Sequence, residues 1–347
     1  MYIKKILLAV ALLGLVGAGI FAYTIYTSLF SPNTTFNNDE AHVFIKTNAT
    51  YNDVRNALKP LLEDMESFDE VASRKGYVNN ISAGHFIITK GSNNNEIVNA
   101  IRSGNIPITI SFNNQERIEN LAGRIAEQLE ADSLSLVKVL RDSTFLRQQG
   151  LNENTALTLY LPNTYEFYWN TDAEGFRDKM VQEHKRFWNT QKIAAAKTVG
   201  LTLTEVYTLA SIVQKETVKA DERPRVAGVY LNRFNNGWKL DADPTVIYAV
   251  KRNAANFDQI IKRVLYKDLE TDSPYNTYKY KGLPPGPITM PDLSAINAVL
   301  SPEKHDFYYF VADVSKPGYH MFAKTLSQHN ANRQQYIRWI NAQGVNR

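Results

Sequence analysis

From Ile6 to Phe30 the chain reads ILLAVALLGLVGAGIFAYTIYTSLF, without one charged residue. Crossing the roughly 30 Å hydrocarbon core of a bilayer as a helix takes about 20 apolar residues, so the run is long enough. Lys4 and Lys5 precede it, Tyr23 and Tyr26 fall near its far end, and the next basic residue is Lys46. Aromatic rings favour the headgroup layer, and basic residues stay on the cytoplasmic side. The pattern predicts residues 1–5 as a cytoplasmic N-terminus, residues 6–30 as an uncleaved single-pass anchor in the inner membrane, and everything after about Ser31 outside it. A cleaved signal peptide is the alternative. Its apolar stretch is only about 7–15 residues, and here apolar residues continue past the weak small-residue site at Gly17 and Gly19.

The remainder is ordinary in composition. Hydrophobic residues make up 44% and charged residues 21% of the 347, as in globular chains, which excludes a polytopic membrane protein and a disordered one. Thirty-nine Lys+Arg against 35 Asp+Glu give a net charge of +4. That excess is too mild to argue for nucleic acid, which asks for a concentrated basic face. Cysteine is absent, so disulfides, Cys-ligated zinc, iron–sulfur clusters, a thiol nucleophile and lipoprotein acylation are excluded. There is no P-loop and no strand-linked GxGxxG, so no cofactor is expected. In a bacterium the space outside the inner membrane is poor in nucleotides and rich in cell wall glycan.

Ser31 to Asp39 is polar and reads as a tether over about 31–40. A weak repeat follows, in which FIKTNATYNDVRNALK (Phe44–Lys59) aligns with IITKGSNNNEIVNAIR (Ile87–Arg102). Each copy predicts a strand, a polar turn and an amphipathic helix. Ser92 or Asn93 would cap the second helix, with Ile97, Ala100 and Ile101 on its inner face. A third strand is expected at Ile106–Phe112. Asn114 then caps a helix with the stripe Ile118, Leu121, Ile125 and Leu129. Ser133 opens another with Leu134, Val137 and Leu140 inward. LTLYL (Leu157–Leu161) reads as a strand ending at Pro162. Asp172 caps a long helix to about Lys197 that buries Phe176, Met180, Phe187 and Trp188, and Trp169 and Trp188 are expected to be core.

Gly200 ends that helix, and Thr202-x-x-Glu205 is a capping box that fixes the start of the next. Its apolar face carries Val206, Leu209, Ile212 and Val213. Glu216, seven residues beyond Leu209, points almost the same way at 3.6 residues per turn. Glu205 and Glu222 read as solvated surface charges. A carboxylate at the rim of an apolar face is either half of a salt bridge, here with Arg223, Arg225 or Arg233, or a general acid. Desolvation raises its pKa, and the negative end of the helix dipole acts in the same direction. A glutamate raised towards neutrality can give a proton to a leaving oxygen and take one back.

Four further segments favour the second reading: GVYLNR from Gly228, DADPTVIY from Asp241, SPYNTY from Ser273 and GLPPGPI from Gly282. Pro and Gly give such loops defined shapes. Asn, Thr and Tyr offer neutral donors and acceptors suited to sugar hydroxyl and N-acetyl groups. The candidates for binding a neutral polar polymer are Asn232, Asp243, Thr245, Tyr275, Asn276, Thr277, Pro285 and His320. Asp-Pro-Thr at Asp243 also suits a helix start with Pro in its first turn. His320 and His329 lack HExxH spacing, so no metal is expected. Thr325-x-x-Gln328 reads as a capping box before a final helix ending near Trp339 and Ile340, with His329 an ordinary helix residue.

These motifs, in this order, resemble the YceG-like (MltG) family of endolytic murein transglycosylases. The resemblance runs through ASIVQKET, GVYLNR, DPTVIYAV, SPYNTY, GLPPGPI, FYYFVAD (Phe307–Asp313) and HMFAKTLSQHN (His320–Asn330). It departs from the family at Gln214, where an acidic residue is frequent, and at Gly318-Tyr-His-Met-Phe, where a Gly-His-His-Phe-like run is common. The resemblance implies an α+β chain: a transmembrane helix, a LysM-like subdomain over 41–112, a helical connecting region over 113–200, and a mixed α/β catalytic domain over 201–347 with Glu216 as catalytic residue. It implies a lyase that cuts the β-1,4 bond between N-acetylmuramic acid and N-acetylglucosamine in nascent strands. The cut leaves 1,6-anhydro ends and terminates or trims elongation, with peptidoglycan synthases as possible partners. A two-carboxylate hydrolase needs a second acid at a set distance, whereas Glu216 alone could serve both proton transfers. A non-catalytic glycan-binding scaffold is the other alternative.

Overall fold

A computed structural model describes residues 2–342, which form a mixed α+β structure. They divide into two compact units, one of residues 2–110, 127–131 and 165–172, the other of the remainder.

The first unit begins with α1 (Tyr2–Phe30), which buries none of its residues and is long and apolar enough to cross a membrane. The polar residues after it, expected as a tether, are held down. Asn33 is buried, and its Nδ2 donates to the Asp64 carbonyl and to Asn94 Oδ1, both at 2.7 Å. Asn94 in turn donates to the Ser28 carbonyl at 2.8 Å. The two copies of the repeat follow as β1 (Glu40–Ile45) with α2 (Tyr51–Leu58), then β2 (Gly84–Thr89) with α4 (Asn94–Ser103). Between them lies α3 (Met65–Arg74), capped by Asp64. β1 and β2 pair antiparallel, Glu40 opposite Thr89 and Ile45 opposite Gly84. Thr50 with Asp53 and Asn93 with Glu96 close full capping boxes on α2 and α4; Asn93 is one of the two caps expected for the second copy. Val54, Leu58, Phe68, Val71, Ile97 and Ile101 then bury against Val43, Ile45, Phe86 and Ile88 of the sheet. Each such side chain contributes about 1.5–3 kcal/mol relative to exposure, which neither repeat copy could gain alone.

The chain passes between the units within β3 (Ile108–Phe112) and β4 (Asn163–Phe167). The second unit contains α5 (Ile118–Ala126), α6 (Ser133–Leu140), α7 (Ser143–Gln148), α8 (Ala173–Phe187) and α9 (Thr190–Thr198). Its core is built around α10 (Leu203–Glu216), α11 (Arg223–Asn235), α12 (Asp243–Asn253) and α14 (Leu293–Leu300). The short α13 (Tyr266–Leu269), a hairpin of β5 (Tyr309–Ala312) and β6 (His320–Ala323), and α15 (Leu326–Ala342) complete it. The hairpin pairs Tyr309 with Ala323 and Ala312 with His320. In α10, Val206, Leu209, Ile212 and Val213 are all fully buried.

Several local expectations are corrected. Asn114 does not cap α5; its amide donates to the Met290 carbonyl (2.7 Å) and to Asp292 (2.9 Å). Asp132 caps α6, which turns Leu136, Val139 and Leu140 inward and leaves Leu134 81% exposed. LTLYL is not a strand. Residues Ala156–Leu159 coil as a 3₁₀ turn, with the Thr158 hydroxyl bonded to the Thr155 carbonyl, and the strand follows Pro162 instead. The long helix breaks after Phe187, because Asn189 caps a separate α9. Among the expected core aromatics, Trp188 is buried and Trp169 is partly buried against Phe44.

Candidate functional site

Glu216 is the last residue of α10, and its carboxylate is held by the neighbouring helix. A short connection turns the chain back into α11, whose Pro224 suits a helix start. This brings the Tyr230 hydroxyl to Glu216 Oε1 at 2.5 Å. Burial pushes the Glu216 carboxyl up to about 7; the Tyr230 bond pulls down, the Asp243 charge pushes up and Arg233 pulls down. Desolvation wins because a partly accessible carboxylate in this setting loses more hydration than one hydroxyl returns. The Tyr230 hydroxyl is itself raised well above its ordinary value by burial and by the adjacent Glu216, so it stays a donor.

None of the three arginines forms an ion pair with Glu216. Arg223 is buried and pairs with Asp292 (3.1 Å) and the Ser294 hydroxyl. Arg225 pairs with Glu303 (3.0 Å). Arg233 donates to the carbonyls of Tyr308 (2.7 Å) and Leu240 (2.6 Å) and reaches Asp241 at 3.3 Å. Arg233 therefore acts on Glu216 through its field alone.

Asp243 opens α12, with Ala242 rather than Asp243 at the N-cap position. It is exposed and accepts a 2.6 Å hydrogen bond from the Tyr278 hydroxyl. Tyr278 is raised by burial, by this bond and by the charges of Asp243, Asp241 and Glu216. Glu216 at the end of α10, Tyr230 in the middle of α11, Asp243 at the start of α12 and Tyr278 in a later turn thus form one electrostatically linked group.

The other predicted residues separate into kinds. Thr245, Tyr275, Asn276 and Thr277 are buried. The Thr245 and Thr277 hydroxyls share a 2.8 Å bond, and Thr277 Oγ1 also accepts the Ala242 N–H. Asn276 spends its amide on the carbonyls of Leu269 and Thr271 and accepts the Tyr278 N–H. Asn276 and Thr277 shape the turn that presents Tyr278 to Asp243, with Thr245 of α12 packed against it, and these three engage their polar groups within the protein. Asn232 donates to the carbonyls of His305 and Phe307, a positioning task. Pro285 is exposed. His320 meets Glu222, read from sequence as a solvated charge and here 5% exposed: Glu222 accepts the His320 N–H at 2.7 Å and lies 2.8 Å from its Nδ1. Phe310 lies edge-on to both His320 and Tyr230.

Tight packing fixes the loops around the site. A Cβ on Gly228 would come within 2.5 Å of the Glu303 carbonyl, and one on Gly286 within 2.0 Å of the Asn154 carbonyl. Ser211 Oγ accepts the Ile288 N–H, and Gln214 accepts the Asp292 N–H, so α10 holds the segment after GLPPGP along its length. Sequence reasoning did not single out Tyr230 or Tyr278. Both lie in quoted motifs, but only the turn between α10 and α11 and the buried Thr–Thr pair bring their hydroxyls to carboxylates.

A model of the YceG-like family matches residues 43–335. An endolytic murein transglycosylase of Bacillus subtilis (strain 168) is 29% identical over 342 residues, spanning 93% of this chain and 91% of that protein. One from Streptococcus pneumoniae serotype 2 (strain D39) is 28% identical over 299 residues, 78% of this chain and 53% of that longer protein. The crystal structure of a YceG-like protein from Listeria monocytogenes superposes with a TM-score of 0.57 at 27% identity, over 85% of this chain and 99% of that one.

Proposed function

The chain belongs to the YceG-like family, and from that premise we propose that it is an endolytic peptidoglycan lytic transglycosylase, a lyase acting on the β-1,4 bond between N-acetylmuramic acid and N-acetylglucosamine in nascent strands. The observation that carries the reading is Glu216, a carboxyl raised to about 7 and held by a hydroxyl rather than by an arginine. Such a group is half protonated near neutral pH and can serve as acid and then as base.

In the first step protonated Glu216 gives its proton to the bridging oxygen as the glycosidic bond breaks. In the second, its carboxylate takes the proton of the muramyl C6 hydroxyl while that oxygen bonds to C1. The products are a 1,6-anhydromuramyl end and a new N-acetylglucosamine 4-hydroxyl. Intramolecular attack gains from high effective concentration and leaves no role for a bound water. Tyr230 keeps the carboxylate aimed, and the Asp243 charge supports the cationic ring between the two steps. Asp243 is also what a hydrolase reading would use, as a base for water, and the two differ in their products.

The rest of the chain fits a membrane-tied enzyme. α1 is the single-pass anchor, with Lys4 and Lys5 holding the N-terminus in the cytoplasm and the catalytic part, residues 201–347, outside. Residues 41–112, with the order β1–α2–α3–β2–α4–β3, are a LysM-like glycan-binding subdomain, and residues 113–200 connect the two. Peptidoglycan synthases, which make the strands, are the natural partners. Zymography on murein with the wild type and Glu216→Gln tests the reading: clearing by the wild type alone supports it, and equal clearing by both removes the assigned acid. No clearing by either favours the scaffold alternative.

A further inference from the structure

A cleft of about 390 Å³ opens one residue away from both carboxylates of the site. Lys215, which precedes Glu216, and Pro244, which follows Asp243, are both in its lining. That volume lies within the range of small-ligand sites, about 300–1,000 Å³. Its walls mix apolar side chains, among them Pro244, Ile247, Phe257 and Ile288, with the polar Tyr248 and Gln259. Its charge is concentrated at one place. Glu116 receives Lys215 on Oε1 at 2.9 Å and Lys251 on Oε2 at 3.1 Å. Burial acts to raise the Glu116 carboxyl, but the two ammonium groups outweigh it and hold it below the ordinary value. Glu116 is the hydrogen-bond partner of each ammonium among the described residues, which leaves two N–H groups on each for a ligand. Asp258 supplies the only other formal charge in the lining.

A neutral sugar polymer has no use for this arrangement. The ligand it fits has small apolar groups, at least one carboxylate for the lysines, and a cation for Asp258. Lys215 and Pro244 place the cleft beside the helix ends that carry Glu216 and Asp243, within reach of a substituent on a glycan bound at those carboxylates. We propose that this cleft is a subsite for the short peptide borne by the muramyl residue at the scissile bond, recognised through Lys251 and Lys215 on a peptide carboxylate. The inference rests on the proposed role of Glu216, and it makes the enzyme selective for peptide-bearing strands over stripped ones.

The test compares cleavage of peptide-bearing strands with that of the same strands stripped by an amidase, using the full chain in detergent. The wild type should have a kcat/KM about tenfold higher on peptide-bearing strands, the value of one charge-assisted hydrogen bond. Lys251→Gln should lose that advantage through KM and cleave stripped strands as the wild type does, and Lys251→Arg should recover most of it. Equal wild-type rates on both strands, or an equal loss by Lys251→Gln on both, would overturn the proposal. A protein that cleaves neither strand counts against the role of Glu216, and calorimetry then decides the subsite separately. Titration of a soluble stem peptide should show binding to Glu216→Gln that the added Lys251→Gln change weakens about tenfold; no binding overturns the subsite.

Discussion

The Tyr230 hydroxyl donates a 2.5 Å hydrogen bond to Glu216 and so ties the end of α10 to the middle of α11. The bond opposes burial. Desolvation drives Glu216 towards its neutral form, and Tyr230 favours the carboxylate. The balance leaves both protonation states within reach near pH 7, which a residue acting as acid and then base requires.

Replacing Tyr230 by Phe removes the one direct bond that favours the carboxylate. Glu216 should then titrate at higher pH, and the alkaline limb of the rate profile should move up with it. The rate at pH 7 should still fall, by roughly tenfold, because the carboxylate loses the group that aims it. A pH–rate profile of Tyr230→Phe beside the wild type reads both effects.

The Asp243 charge pushes Glu216 the other way. Asp243→Asn should lower the Glu216 pKa, and with it the pH at which activity is half lost. In the proposed mechanism the first proton transfer requires protonated Glu216, so kcat/KM should fall as pH rises through the Glu216 pKa. An alkaline limb unmoved by Asp243→Asn would remove Asp243 from the site's electrostatics.

Glu216→Gln should reduce turnover by about 10²–10⁴-fold, the usual contribution of a positioned proton donor. It should also stabilise the protein at alkaline pH. An unfolded glutamate loses its proton near the ordinary value, 4.5, whereas folded Glu216 keeps it to about 7. The unfolded state therefore gives up its proton first, and stability falls as pH rises from 4.5 to about 7. Glutamine abolishes that loss, which is at most about 3 kcal/mol. Thermal melts should show Glu216→Gln above the wild type at pH 8 and close to it at pH 4.

How much of this was legible in the chain depends on distance along it. The Thr202–Glu205 capping box and the buried stripe of α10 are local, and they placed Glu216 at the end of an apolar face, where it lies. The repeat likewise revealed both strand–helix pairs, because capping and periodicity act over a few residues. What failed was tertiary. Asn114 has the composition of a cap but finds better partners at Met290 and Asp292. Glu222 resembles a surface charge until His320, far along the chain, closes on it. Thr245, Asn276 and Thr277 have the chemistry of sugar ligands and use it on one another and on nearby backbone. Side-chain type does not show which partner arrives first, and that information lies in the packing.

Gly286 supplies a test of that packing. Its backbone runs so close to Asn154 that an added Cβ would come within 2.0 Å of a carbonyl oxygen. Gly286→Ala should cost about 1–3 kcal/mol, the usual penalty of overpacking, and should loosen the segment that Ser211 and Gln214 hold. A lowered melting temperature together with reduced turnover is the expected result.

The central claim is that one carboxyl, Glu216, serves both proton transfers of a ring-closing scission. Mass spectrometry of the glycan products from the wild type tests it most directly. The account predicts chains ending in 1,6-anhydromuramic acid, with none of the solvent oxygen incorporated when the reaction is run in ¹⁸O-labelled water. Reducing ends carrying the label would contradict it and would mean that water, activated by a second group such as Asp243, is the nucleophile.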